Sequence, residues 1–164
     1  MAEPVNPIRP TDDAARVEAQ GLIRTARTAA IAVIDPATGA PFVSRIAVGV
    51  LPGDRLATLV SSLSLHTRAL MADPRCCLLL GEPGDRGDPL NHPRLSMTAN
   101  ARFLLRDGAD DARARRDWVT IHPKAKLYAD FADFSVVLFT PVAAALNGGF
   151  ARAYSIDGAE LGLV

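Results

Sequence analysis

The chain has 164 residues, enough for one domain, and 49% of them are apolar, enough for one core without a disulfide or structural metal. Lys+Arg and Asp+Glu both number 18, so no general field exists to hold nucleic acid or an anionic membrane, and any anion site must be local. No stretch approaches the roughly 20 apolar residues of a membrane span. The first residues lack the basic and apolar regions of a signal peptide, so a cytoplasmic protein is the expectation. Cys76 and Cys77 are neighbours whose side chains would point to opposite faces of a strand, which suits neither a bridge nor a metal pair. They read as two buried or half-buried thiols in a reducing compartment.

Pro4, Pro7 and Pro10 mark residues 1–10 as an extended arm, and residues 11–164 read as a single domain. Thr11 or Asp12 would cap a first helix with an apolar stripe of Ala14, Val17, Ala19, Leu22 and Ile23, ending near Arg27. Thr28 to Ile34 is a strand, and Asp35-Pro-Ala-Thr-Gly39 is turn chemistry. Residues 42–50 form a second strand, with Phe42, Ser44, Ile46, Val48 and Val50 on one face and Val43, Arg45, Ala47 and Gly49 on the other. A turn at Pro52-Gly-Asp54 leads to a strand at 56–61, and such short connections imply an antiparallel meander.

A short helix at 65–72 and a largely apolar, central strand at 76–81 come next. A Gly/Pro/Asp-rich loop at 82–93 precedes a long two-faced strand at 94–105 and a charged helix at 107–121 that carries Trp118. A short helix reaches to Phe131, and strands at 135–140 and 144–156 complete the set, the latter broken at Gly148-Gly149. Six or seven antiparallel strands with three or four helices between them make a mainly β fold. A small barrel, closed or partly closed, with helices at its ends fits this order better than a doubly wound sheet.

The best local chemistry lies in Leu59-Val-Ser-Ser-Leu-Ser-Leu-His-Thr-Arg68. A strand runs out into Ser61 and Ser62, a helix begins at Ser64, and His66, Thr67 and Arg68 fall in its first turn. Free N–H groups and the positive dipole end attract an anion, so the segment is either a phosphate site or a serine-capped surface helix with solvated His and Arg. Arg45 could hold a phosphate bidentately or snorkel to a barrel rim. The row Arg94, Ser96, Thr98, Asn100 and Arg102 lines either a groove or a solvent face. Gly148-Gly149-Phe150 permits close backbone approach or marks a turn. No metal cluster, nucleophile elbow or nucleotide fingerprint is present, and His66, His92 and His122 are scattered.

Ser61 through Pro74 resembles the flavin-phosphate segment of pyridoxamine-phosphate oxidase-like FMN-binding split barrels. His122-Pro-Lys-Ala-Lys-Leu-Tyr-Ala-Asp-Phe-Ala-Asp-Phe134 and Leu146-Asn-Gly-Gly-Phe-Ala-Arg-Ala-Tyr154 resemble the haem-utilisation (HugZ-like) branch of that superfamily. The resemblance implies an antiparallel split β-barrel and a homodimer with FMN at the subunit interface. By position, Arg45 would hold the phosphate, Ser61 and Ser62 the flavin edge, and His66, Thr67 and Arg68 the rest of the phosphate pocket. Lys124 and the Gly149 segment would reach the partner's flavin.

Two departures stand out: His66 replaces a lysine, and Asn100 replaces a frequent glycine. Relatives that degrade haem often carry a further C-terminal domain that this sequence does not include, which weighs against haem ligation. The implied functions are an FMN-dependent oxidoreductase on a small substrate, a haem-handling protein with His92 or His122 as the ligand to test, or a flavin carrier without turnover.

Overall fold

The computed structural model describes residues 8–149 and 152–164. Strands β1 (Ile8–Arg9), β2 (Thr28–Ile34), β3 (Pro41–Ala47), β4 (Gly49–Leu51), β5 (Arg55–Ser61), β6 (Arg75–Leu80), β7 (Arg94–Phe103), β8 (Phe134–Asn147) and β9 (Ala153–Asp157) join in one sheet. Helices α1 (Asp13–Thr25), α2 (Leu65–Ala72) and α3 (Ala109–Ile121) pack on it, with 3-10 turns at Pro89–Asn91, Pro123–Leu127 and Gly158–Leu161. The sheet runs β1-β9-β8-β7-β6-β2-β3, while β5 pairs with both β4 and β8. All pairings are antiparallel except that of β1 with β9. This is the mainly β split barrel of the sequence reading, with β6 central as expected.

The split is made at Val48. The expected single strand at 42–50 is divided there: β3 turns to β2, while β4 turns to β5. The Val48 N–H donates to Arg27 O at 3.0 Å, and the Thr58 hydroxyl donates to Ala47 O at 2.7 Å, so the fork is held on both sides. Beyond it β3 and β5 diverge without pairing, and among the described residues β3 pairs with β2 alone. Side-chain alternation survives the fork, since Ile46 and Val48 enter one apolar cluster and Leu51 enters a second.

The first cluster fills the barrel with Ile31, Leu56, Leu78, Leu95, Met97, Phe139 and Leu146, all nearly inaccessible. The second lies between the outer face of β5 and β8 and helix α3, around Trp118. Helix α1 is capped by Asp12, whose carboxylate accepts from Ala15 N at 2.8 Å. Its buried stripe is Ala15, Ala19 and Ile23; the expected members Ala14 and Val17 are exposed, because spacings of four from Ala15 select the opposite side of the first turns.

Two boundaries differ from the sequence reading for backbone reasons. Asp107 adopts φ 64, so α3 starts two residues late, after Gly108. Residues 134–147 form one strand rather than two pieces, because Pro141 sits opposite Ala99 where the register with β7 shifts, a place where a missing N–H is tolerated.

Candidate functional site

The gap left by the diverging strands is a cleft of about 340 Å3. Its floor and sides are Ile46 and Ala47 of β3 and Leu59, Val60 and Ser61 of β5. Ser64 and His66 close one end, Tyr128 and Phe134 form an aromatic wall, and Arg45 stands at the mouth. Tyr128 and Phe134 rings pack with centroids 5.0 Å apart. A cleft with apolar sides, one aromatic wall and a cation at its rim suits a flat ligand that carries an anionic group.

Arg45 is exposed and makes no hydrogen bond or ion pair with any described residue. Ser64 occupies the N-cap of α2, but its hydroxyl makes no capping bond, so N–H groups at this helix start have no side-chain acceptor. The His66 Nδ1 lies 2.9 Å from Ser44 Oγ, and Nε2 has no partner among the described residues. Burial pushes the His66 imidazole below the ordinary histidine range, so the ring is neutral near pH 7 without an anion beside it. The Ser61 hydroxyl donates to Asp133 Oδ2 at 2.6 Å, and Ser62 N donates to Asp133 O at 2.8 Å.

Of the eight residues singled out from sequence, Arg45, Ser61 and His66 meet in this cleft. Ser62 is exposed beside it. Arg68 points away, donating to Leu63 O at 2.8 Å and closing its own turn. Thr67 is fully buried, and its hydroxyl has no partner among the described residues, so it faces the interior and not the cleft. Lys124 is exposed on the 3-10 turn after α3. Gly149 adopts φ +105, and a side chain there would meet Asn91 O at 2.8 Å, so its role in this chain is close backbone packing. Phe150 lies outside the described residues. Neither Lys124 nor Gly149 is part of the cleft lining.

The histidines proposed for haem are engaged elsewhere. His92 uses both nitrogens on its own loop: Nδ1 accepts from Gly84 N at 3.3 Å, and Nε2 donates to Arg86 O at 2.8 Å. His122 donates from Nε2 to Val48 O at 2.9 Å, and its ring lies 4.3 Å from that of Trp118.

Tyr128, Asp133 and Phe134 were not assigned from sequence, although their aromatic and acidic run is conspicuous. Their placement depends on two arginines behind them. Arg106 donates to the carbonyls of Asp130, Phe131 and Phe134, at 2.9, 3.0 and 2.7 Å. Arg115, buried, donates to Ala129 O, to Phe134 O at 2.8 Å and to Asp111 Oδ2 at 2.8 Å. A wider hollow of about 520 Å3 lies beside α3 at these arginines, but both guanidiniums are already committed to carbonyls.

Residues 16–147 match the family described as Pyridoxamine 5'-phosphate oxidase. The chain belongs to the pyridoxamine 5'-phosphate oxidase family. Within reach of this family, 95 residues are 35% identical to the chloroplastic heme oxygenase HOZ of Arabidopsis thaliana, covering 58% of this chain and 28% of that protein. A heme binding protein from Mycobacterium smegmatis superposes with a TM-score of 0.81 at 28% identity, over 94% of this chain and 61% of its own. Campylobacter jejuni ChuZ gives a TM-score of 0.80 at 17% identity, over 92% and 62%, and testifies to the fold alone. The chain therefore spans about a quarter of the plant relative and under two thirds of the two bacterial proteins. Among the described residues no cluster of His, Cys, Asp and Glu could hold a bare metal ion, and no helix is long and apolar enough to cross a membrane.

Proposed function

We propose that this family member binds haem in the cleft between β3 and β5 and serves in haem handling. The observation that carries the reading is Arg45, a cation without a partner at the mouth of an apolar, aromatic-walled cleft. A propionate would satisfy it, while the macrocycle would lie against Ala47, Tyr128 and Phe134, the half-buried apolar residues of the lining. The heme-named relatives above support haem as the flat ligand.

A second copy of the chain would complete the site. Two cross-strand rows cover the outward face of the sheet: Val43, Ala32, Cys77, Thr98 and Ala143, then Arg45, Ala30, Leu79, Ser96 and Ala145. Apart from Arg45 they are uncharged, most are small, and Val43 and Leu79 are 61% and 44% exposed. A flat uncharged face of this kind favours a self-complementary pairing. Arg45 belongs both to this face and to the cleft, so a ligand held by it would lie at the edge of the proposed pair.

FMN is the second reading. The uncapped start of α2, next to Arg45 and the hydroxyls of Ser61 and Ser64, suits a phosphate as well as a propionate. Bound there, the flavin would supply hydride or electron transfer to an oxidoreductase, or none in a carrier. Parallel titrations with haemin and FMN decide. A Soret band saturating at one haem per chain supports the first reading. Flavin uptake with no saturable Soret band supports the second, and reduction by NADH or NADPH would then separate enzyme from carrier.

A further inference from the structure

We infer that His66 would hold the haem iron through Nε2, with Ser44 as its positioning residue. The inference rests on the haem reading above and names the contact that reading leaves open.

A metal-binding imidazole needs an unprotonated nitrogen facing the metal and a partner that fixes the other nitrogen. His66 meets both needs. Its Nδ1 is held by Ser44 Oγ at 2.9 Å, across from β3 to the first turn of α2. With the Nδ1 proton donated to Ser44, the Nε2 lone pair is free, and that nitrogen has no partner among the described residues. The ring lines the same cleft as Arg45, the cation proposed for a propionate. The other two histidines lack this arrangement. His92 has both nitrogens bonded within its loop, and His122 has Nε2 on Val48 O and lies against Gly49 and Trp118, outside the cleft lining.

A lysine-like role is the competing use of the same side chain, an anion contact made by a protonated ring. The two roles differ in what iron reports. Haemin is titrated into the full chain and into His66→Gln, Ser44→Ala and His122→Gln, with absorbance and electron paramagnetic resonance spectra recorded on each. Circular dichroism and thermal melts establish that the variants are folded.

The expected result is an imidazole-ligated ferric spectrum for the unaltered chain and for His122→Gln. His66→Gln should still take up haemin through Arg45 and the apolar walls, but with a shifted Soret band and an altered resonance signal. Added imidazole should restore the original spectrum in His66→Gln. Ser44→Ala should retain the ligated spectrum with affinity lower by about tenfold, the usual effect of losing a ligand's outer partner.

Haemin bound with an unchanged spectrum in His66→Gln overturns the ligand assignment and leaves haem binding intact. A ligated spectrum lost in His122→Gln instead moves the ligand there and overturns it equally. No saturable haemin binding by the unaltered chain overturns the haem reading itself and the assignment with it.

Discussion

The Ser44 hydroxyl and His66 Nδ1 lie 2.9 Å apart, joining an edge strand to the first turn of a helix that it does not otherwise bond. Ser44 occupies the inward face of β3, and Arg45, one residue on, occupies the outward face. Arg45 and His66 both line the cleft, and Ser44 holds His66 from the inward face of the strand. The orientation of His66 is therefore a property of the strand, set before any ligand arrives.

In the proposed site Arg45 would serve binding and not folding. Arg45→Ala should lower affinity for haemin, and for FMN, by about ten- to a hundredfold, the worth of one or two charge-assisted hydrogen bonds of about 1.5–3 kcal/mol. Since Arg45 has no partner in the fold, urea unfolding should change by less than about 0.5 kcal/mol. Unchanged ligand affinity in a titration would remove Arg45 from the site.

Arg115 has the opposite character. Arg115→Ala strands the buried Asp111 carboxylate and frees the carbonyls of Ala129 and Phe134. Breaking a buried pair in this way costs about 3–5 kcal/mol, to be read from urea unfolding. Arg115→Lys should recover little of it, because one ammonium does not reproduce a fork that meets three acceptors.

The cysteines give a pH prediction. Burial pushes the Cys76 thiol up to about 12 from 9.0. The folded state then holds its proton where the unfolded chain has lost it, so the associated stability is complete below pH 9 and declines from there toward 12. Thermal melts across that window should fall less steeply in Cys76→Ala. At pH 8 Cys76 should resist iodoacetamide in the native protein and react once unfolded, as mass spectrometry of the alkylated chain would report.

Gly81 closes β6 with φ +100, and a Cβ there would meet Pro93 O at 2.5 Å. Pro93 O and the Arg94 Cα, which it would meet at 3.0 Å, are both backbone, so neither yields easily. Gly81→Ala should destabilise by about 1–3 kcal/mol in urea unfolding, whereas Gly39→Ala, with open space around it, carries only the cost of its positive φ.

The pairing of two copies is tested by size. Sedimentation should give about twice the 17.4 kDa chain mass. Leu79→Glu, placing a charge amid the uncharged rows, should shift the chain to monomer and weaken haemin binding in parallel. A monomer that binds haemin with full affinity would remove the partner from the site.

Much of this architecture was readable in the sequence because local rules governed it. Asp12 with an apolar period behind it gave the start of α1, and β2 and α2 coincide with their expected spans. Arg45 was legible because it interrupts a face of small residues. The fork at Val48 was not, since both halves of 42–50 keep one alternation and differ only in which distant strand each meets. The 3-10 turn at Gly158–Leu161 was missed although Asp157 and Glu160 form a reciprocal cap there. The aromatic wall was hidden for a different reason: its position is decided by Arg106 and Arg115, which bond carbonyls and leave no trace in the side chains they hold.

That fastening has a consequence for how the family can vary. A segment gripped through the carbonyls of Ala129, Asp130, Phe131 and Phe134 makes no demand on which side chains it carries. Tyr128, half-buried in the wall, and the exposed Phe131 beside it thus sit on a main chain whose course is fixed from the helical layer. Ligand choice can diverge by substitution on this wall alone, at little cost to the barrel, while any loss in the two arginines is felt by every ligand at once.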